Sequence, residues 1–206
     1  MRTVEELETI MRSIVQTYNN NDAMKAVRVM CLMIMEAINI EEMTTGVLRF
    51  SDLTRMTMTD DGVHNYLNPE TRQITCRKWS TKNKKEREMR VSQRFVDGIY
   101  EIYGGCAPER LLVTDEGLPW TNTCKLSTEF RKNVGYLMMD VRSSFTTYLD
   151  KVCETDSNGL EKLREICHNQ GHRLSTALTT YRRKIVPKLR IPEMYKDKHE
   201  IGEENV

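Results

Sequence analysis

Apolar residues recur at helical spacing along most of this chain, and this periodicity constrains its fold more than any other feature. Thr3 and Glu6 form a capping box, and the apolar residues that follow repeat every three or four positions, which predicts an amphipathic helix over residues 4–18. Asp22 can cap a second helix, whose interior between Val27 and Ile34 is apolar on nearly all sides. We therefore expect the second helix to lie in the core.

The rest of the chain adds shorter helices and a hairpin. Helical spacing continues over residues 47–57, 92–104, 127–134, 140–149, 159–167 and 174–186. Two strands are predicted at 73–79 and 86–92, joined by a polar, lysine-rich connection, and 110–113 reads as a short extended piece. The sequence thus predicts a mainly α-helical fold with a small antiparallel β-sheet.

Composition sets the broad class. A length of 206 residues favours one domain, and the apolar fraction of 39% is typical of globular proteins. The longest apolar run, Val29 to Met35, is too short to span a bilayer, and the first 20 residues lack a signal-peptide pattern. Six scattered cysteines without a CxxC pair indicate free thiols and an intracellular, reducing compartment rather than a zinc site or a disulfide framework.

Positive charge is concentrated in two segments although the net charge is only +1. Residues 77–94 carry eight Lys or Arg and two Glu, and residues 173–190 carry six Lys or Arg and no acid. Such patches suit a polyanion, because basic side chains displace its counterions. A solvated charged surface is the alternative interpretation.

Several motifs occur in a recognisable order. Gly171-His172 precedes Tyr181 by nine residues, counted from the histidine, and this segment resembles the end of the tyrosine recombinase catalytic domain. The opening Thr3–Leu7 is similar to the family's "T-x-E-E", Arg49–Leu53 to its "R-I-S-E-L", and Met139–Thr147 to its "H-D-L-R-R-T-F-A-T". The resemblance runs from Thr3 to Arg183.

The resemblance implies a set of site residues. Arg49 and Arg142 take the places of the two catalytic arginines, His172 that of a catalytic histidine, and Tyr181 that of the nucleophile. The hairpin assigns the catalytic lysine to Lys82, with Lys78 and Lys84 as alternatives. Met139 stands where the family has a histidine, and the stretch between Arg142 and His172 is several residues longer than usual.

The implied chemistry is site-specific cutting and rejoining of DNA through a 3′-phosphotyrosine. Two guanidiniums stabilise the charge that gathers on phosphate oxygens, a phenolate attacks phosphorus, and a lysine protonates the leaving 5′-oxygen. This reaction needs no cofactor and no metal. The expected DNA contacts are basic: Lys78, Lys84, Lys85, Arg87, Arg173, Arg182 and Arg183.

The resemblance also implies partners and organisation. Residues 1–190 correspond to the catalytic domain, 191–206 to a polar tail, and the family's N-terminal core-binding domain is not expected here. Double-stranded DNA is the expected partner, bound by a homotetramer that exchanges residues 185–195 between protomers, or together with a protein that supplies a core-binding domain. We expect a mobile element or virus as the source, and a prokaryotic cytoplasm, a nucleus or a viral replication site as the location.

Two other functions are compatible with the sequence. A recombinase-fold protein that binds DNA without cutting it would explain Met139, which can neither accept a phenolic proton nor donate to phosphate. A helical protein-interaction module would explain the near-neutral net charge but not the basic hairpin. The ordered set of two arginines, histidine and tyrosine favours the enzyme.

Overall fold

The computed structural model describes residues 3–17, 22–39, 45–79, 84–114, 118–120, 122–154, 158–171 and 173–176. Its helices are α1 (Val4–Gln16), α2 (Asp22–Ile38), α3 (Phe50–Leu53), α4 (Gln93–Ile102), α5 (Thr123–Val134), α6 (Met138–Glu154), α7 (Gly159–Asn169) and α8 (Leu174–Thr176). The strands are β1 (Tyr66–Asn68), β2 (Gln73–Cys76) and β3 (Arg87–Arg90), in one antiparallel sheet of order β1-β2-β3. The predicted mainly α-helical fold with a small antiparallel sheet is confirmed. Among these helices, none combines the length and apolar character needed to cross a membrane.

Helix α2 forms the centre of the core, as its apolar sequence predicts. Residues 26–34 are buried, and the helix packs against α1, α4 and α5. Helix α1 covers it with the face that carries Val4, Leu7 and Met11, and the predicted capping box of Thr3 and Glu6 is present. The amphipathic period of α1 and the all-round apolar character of α2 therefore specify which helix lies outside and which inside.

The predicted helix over residues 47–57 is wrong except for its middle. Only Phe50–Leu53 is helical, and the backbone on its C-terminal side pairs with extended segments instead. The amides of Thr57 and Leu111 donate to the carbonyls of Asn65 and Met56, respectively, at 2.9 and 2.8 Å. These long-range bonds replace the helical ones and outweigh the local apolar period.

The sheet has three strands where two were predicted, and its strands are shorter than the predicted ones. The two predicted strands correspond to β2 and β3, with Cys76 opposite Arg87 and Ile74 opposite Met89. The strand missing from the prediction is β1, which has three residues and pairs with β2 through Leu67 and Ile74. A strand of this length carries too few residues for its alternation to be read from sequence.

The remaining helices agree with their predictions in place but not in their ends. Helix α5 begins at Thr123, ahead of the predicted residue 127, because the side chain of Asn122 caps the amide of Lys125. Helices α6 and α7 contain the predicted ranges 140–149 and 159–167. Of the predicted helix 174–186, residues 174–176 are helical and the others lie outside the described residues.

Gly46 lies where the extended segment before α3 passes the end of α7. A substitution at this residue tests how closely the two segments pack. A Cβ at residue 46 would lie 2.3 Å from Cγ of Gln170 and 2.6 Å from its backbone nitrogen. We expect Gly46→Ala to lower the free energy of unfolding by about 1–3 kcal/mol, the usual cost of overpacking, as measured by urea denaturation. Without the clash, the substitution would stabilise the protein by restricting the unfolded chain, so an unchanged or increased stability contradicts this packing.

Candidate functional site

Three arginines from three different elements donate hydrogen bonds to three successive backbone carbonyls. Arg87 Nη1 on β3 lies 2.7 Å from the oxygen of Asn169, and Arg142 Nη2 on α6 lies 2.8 Å from that of Gln170. Arg49 Nη2, just before α3, lies 2.9 Å from the oxygen of Gly171. We call these three side chains the arginine cluster.

The position of the cluster follows from the way α7 ends. The last carbonyls of a helix have no partner within the helix and carry partial negative charge. Gly171 takes a left-handed conformation with φ of 81°, which turns the chain away from the helix axis, as is common at the residue after a helix C-cap. The guanidiniums therefore bind the last carbonyls of α7, at the point where Gly171 turns the chain out of the helix.

Arg49 is positioned by the short helix α3, which is held by a hydrogen bond at its first turn and by a ring contact with α5. Its backbone amide donates to Asp52 Oδ2 at 3.1 Å, which fixes the first turn of α3. The ring of Phe50 meets the ring of Phe130 on α5 edge to face, with centroids 5.6 Å apart. The half-buried side chain of Arg49 therefore extends from a backbone that is held in place.

Arg142 is held more deeply. It lies on α6 and is almost completely buried, and its Nη1 donates to the carbonyl of Val47 while Nη2 donates to Gln170. The side chain therefore connects α6, the segment before α3 and the end of α7. Arg49 and Arg142 thus donate to the carbonyls of adjacent residues, Gly171 and Gln170, in one segment.

Arg87 and Asp52 form a buried ion pair behind these two arginines. Arg87 Nη2 lies 3.4 Å from Asp52 Oδ1, and the two side chains are 0% and 1% exposed. The expectation that Arg87 contacts DNA is wrong for this structure, because its guanidinium is enclosed by protein. The sequence analysis did not identify Arg87 and Asp52 as an ion pair. A signal for the burial of Arg87 existed, because Arg87, Met89 and Val91 alternate with Glu86, Glu88 and Arg90. This period of two predicts that Arg87 faces inward.

The other predicted DNA contacts within the described residues are exposed. Lys78, Lys84 and Lys85 flank the end of the β2–β3 hairpin, and Arg173 follows the arginine cluster along the chain. Trp79 is 57% exposed at the same end of the hairpin, with Nε1 donating to the carbonyl of Val63 at 2.7 Å. The hairpin therefore presents cations together with an indole of fixed orientation.

Met139 lies in the first turn of α6, three residues before Arg142, and is 57% exposed. A large apolar side chain is thus exposed to solvent at the position that the motif resemblance aligns with a histidine. Lys82, His172, Tyr181, Arg182 and Arg183 lie outside the described residues, so their assignment stays a prediction.

A cavity of about 420 Å³ lies away from the arginine cluster. It is formed by α1, α2, α6 and the start of α4, and its lining includes Arg12, Glu36 and Tyr148. None of the predicted site residues lines it. Within the described ranges, no group of three or more His, Cys, Asp or Glu side chains is arranged to hold a metal ion.

No protein-family model, curated protein or solved structure matches this chain. The functional interpretation therefore rests on its motifs and on the geometry of the arginine cluster.

His168 gives a pH test of this region. It is half-buried on α7, and burial, then the charges of Arg87 and Lys85, lower its pKa from 6.5, while Glu165 acts in the opposite direction. Since the unfolded chain takes up this proton more readily, the contribution of His168 to stability is present above pH 6.5 and is lost as pH falls through the lower pKa of the folded state.

We expect the free energy of unfolding of His168→Gln to depend less steeply on pH than that of the wild type between about pH 7 and pH 5, where histidines titrate. Chemical denaturation at several pH values measures both slopes. Identical slopes in the two proteins would show that His168 does not change its proton affinity on folding.

Proposed function

We propose that this chain is a DNA strand transferase of the tyrosine recombinase type, which cuts and rejoins DNA through a 3′-phosphotyrosine. The observation that carries the proposal is that Arg49 and Arg142 donate to the carbonyls of Gly171 and Gln170. These acceptors are on successive residues, whose Cα atoms are about 3.8 Å apart. Two guanidiniums therefore bind neighbouring carbonyls at the end of α7, and the next residue in the sequence is the one that the resemblance assigns as the catalytic histidine.

This arrangement suits a phosphodiester. A phosphate is anionic, and attack at phosphorus adds charge to its non-bridging oxygens. Guanidinium groups stay protonated at all physiological pH values and bind phosphate oxygens in a planar, bidentate geometry. Arg49, which is half-buried, would contact the phosphate directly, and Arg142, which is as deeply buried as Arg87, would add its positive charge from the protein interior.

The covalent step uses Tyr181, His172 and Lys82, which the resemblance assigns. The phenol of Tyr181 passes its proton to His172 and attacks phosphorus, the bond from phosphorus to the bridging 5′-oxygen breaks, and that leaving 5′-oxygen takes a proton from Lys82. A phenol with a pKa near 10 ionises more readily beside cations. The phosphotyrosine conserves the phosphodiester bond energy, so a 5′-hydroxyl can reverse the step without a cofactor.

The exposed face of the hairpin suits the rest of the duplex. Lys78, Lys84 and Lys85 can each displace a counterion from the DNA backbone. The proposal includes double-stranded DNA as the partner and several protomers, or an additional DNA-binding domain, on each pair of sites. Affinity for DNA should therefore fall steeply with salt concentration.

A second candidate function is DNA binding without cleavage. The exposed Met139 favours it, because a thioether at this position supplies neither a proton donor nor a base. The two candidates differ in whether a covalent intermediate forms, since both require the basic hairpin.

A nicked suicide substrate tests the first candidate directly. We expect the wild-type chain to form a covalent protein–DNA band on a denaturing gel, and Tyr181→Phe to form none, because the variant lacks the attacking oxygen. Tyr100→Phe is the control, since it removes a phenol from α4, which carries none of the predicted site residues, and should leave the band unchanged.

DNA binding is measured in the same samples by tryptophan fluorescence. Trp79 is 57% exposed and Trp120 is 5% exposed, so a change on adding DNA reports mainly on the hairpin. Binding without a band in the wild type would contradict strand transfer and support the non-cutting candidate. A band that persists in Tyr181→Phe would contradict the assignment of the nucleophile.

Restoring the histidine tests the cost of Met139. We expect Met139→His to raise the rate of covalent complex formation by about a hundredfold, the usual effect of one general acid–base group. Leu137→His, at the residue immediately before α6 and five residues before Arg142, is exposed to a similar degree and is the control. Equal rates for Met139→His and wild type would show that the site does not use a proton-transfer group at this position.

A further inference from the structure

We propose that Arg87 is a positioning residue of this site, which orients Arg49 and the Gly171 backbone from inside the protein. Its catalytic consequence rests on the proposed function, whereas its effect on the backbone can be measured without DNA. The inference replaces the DNA contact expected of Arg87 from the sequence.

Stability alone does not explain a buried pair of this kind. Arg87 and Asp52 are 0% and 1% exposed, and removing two charges from water costs several kcal/mol per ion in proteins. Replacing such a pair with apolar residues is often neutral or stabilising. A pair kept at this depth therefore points to the arrangement that it imposes on its neighbours.

The contacts of the pair reach both parts of the proposed clamp. Asp52 Oδ2 accepts the backbone amide of Arg49 at 3.1 Å, and Arg87 Nη1 donates to the carbonyl of Asn169 at 2.7 Å. The same Nη1 lies so close to Gly171 that a Cβ there would be 2.8 Å away. Arg87 thus determines how near the chain preceding His172 can approach Arg49.

Arg87 also links these two parts to the hairpin. It is the first residue of β3, which continues from Lys84 and Lys85 and therefore from the connection that carries Lys82. One side chain consequently connects three described parts of the fold: the start of β3, the helix α3 that follows Arg49, and the end of α7.

The charges around Arg87 are consistent with this role. Its partner across the hairpin is Cys76, and burial raises the pKa of that thiol to about 12, so the thiol is neutral. Burial lowers the pKa of His168, which faces Arg87 from α7. The carboxylate that pairs with Arg87 is that of Asp52, and the hydrogen bond that orients its guanidinium goes from Nη1 to the Asn169 carbonyl.

The test compares Arg87→Met with Arg90→Met, an exposed arginine on the same strand. At saturating suicide substrate, we expect Arg87→Met to slow covalent complex formation by about a hundredfold, as displacement of a catalytic group by roughly 1 Å does. Its dissociation constant for DNA should stay within about twofold of that of the wild type, since it loses no phosphate contact. Arg87→Lys, which keeps the charge but can reach only one of the two partners, should recover part of the rate.

Hydrogen exchange supplies the readout that does not depend on cleavage. The amides of Arg49 and Gly171 are hydrogen-bonded to Asp52 Oδ2 and to the His168 carbonyl. In Arg87→Met we expect both to exchange about tenfold faster, because local opening becomes easier, while amides of α2 stay unchanged. Arg87→Lys serves for the same comparison if Arg87→Met does not fold.

The outcomes separate the two proposals. If the wild type forms no covalent complex, the proposed function fails, and hydrogen exchange still decides the role of Arg87. Unchanged exchange at Arg49 and Gly171 would overturn the inference. It would also be overturned by a loss of DNA affinity as large as the loss in rate, because Arg87 would then be a DNA contact.

Discussion

The end of α7 depends on hydrogen bonds from arginines that lie far away in sequence. Carbonyls at a helix C-terminus need donors, and here Asn169, Gln170 and Gly171 receive them from β3, α6 and the segment before α3. Each guanidinium comes from a different element. The sheet, the short helix α3 and the long helix α6 must therefore all pack correctly before the C-terminal end of α7 is ordered. The same interactions place positive charge at the carbonyls of residues 169–171.

This arrangement has a consequence for ligand binding. Guanidiniums that already donate to carbonyls are oriented, so less rotamer entropy is lost when an anion arrives. Each guanidinium has five donors, so a bond to a carbonyl leaves capacity for phosphate oxygens. Arg49, which is half-buried, is nearer the solvent than the buried Arg142. Arg49 is therefore the one placed to contact a ligand, whereas Arg142 mainly supports the backbone.

The sequence predicted the parts of the fold that depend on local period and missed those that depend on long-range pairing. Helices α1 and α2 were predicted because a capping box and an apolar run are local signals. Of the helix expected over 47–57, only residues 50–53 are helical, since Met56 and Thr57 bond to residues 111, 65 and 67. Motif order identifies Arg49 and Arg142, whereas the charge of Arg87 suggests a surface position and only the alternation of β3 indicates that it is buried. Asp52 lies within a motif that was read for its arginine alone.

The central claim is that Arg49 and Arg142 neutralise charge on a DNA phosphate, and a charge-matched substrate tests it most directly. Cleavage by the wild type and by Arg49→Ala is compared on a normal scissile phosphate and on a methylphosphonate, in which a methyl group replaces a charged non-bridging oxygen. We predict that Arg49→Ala loses about a hundredfold or more on the phosphate and far less on the methylphosphonate, because the charge that needs neutralising is gone. An equal loss on both substrates would contradict the account, since the effect of Arg49 would then be independent of phosphate charge.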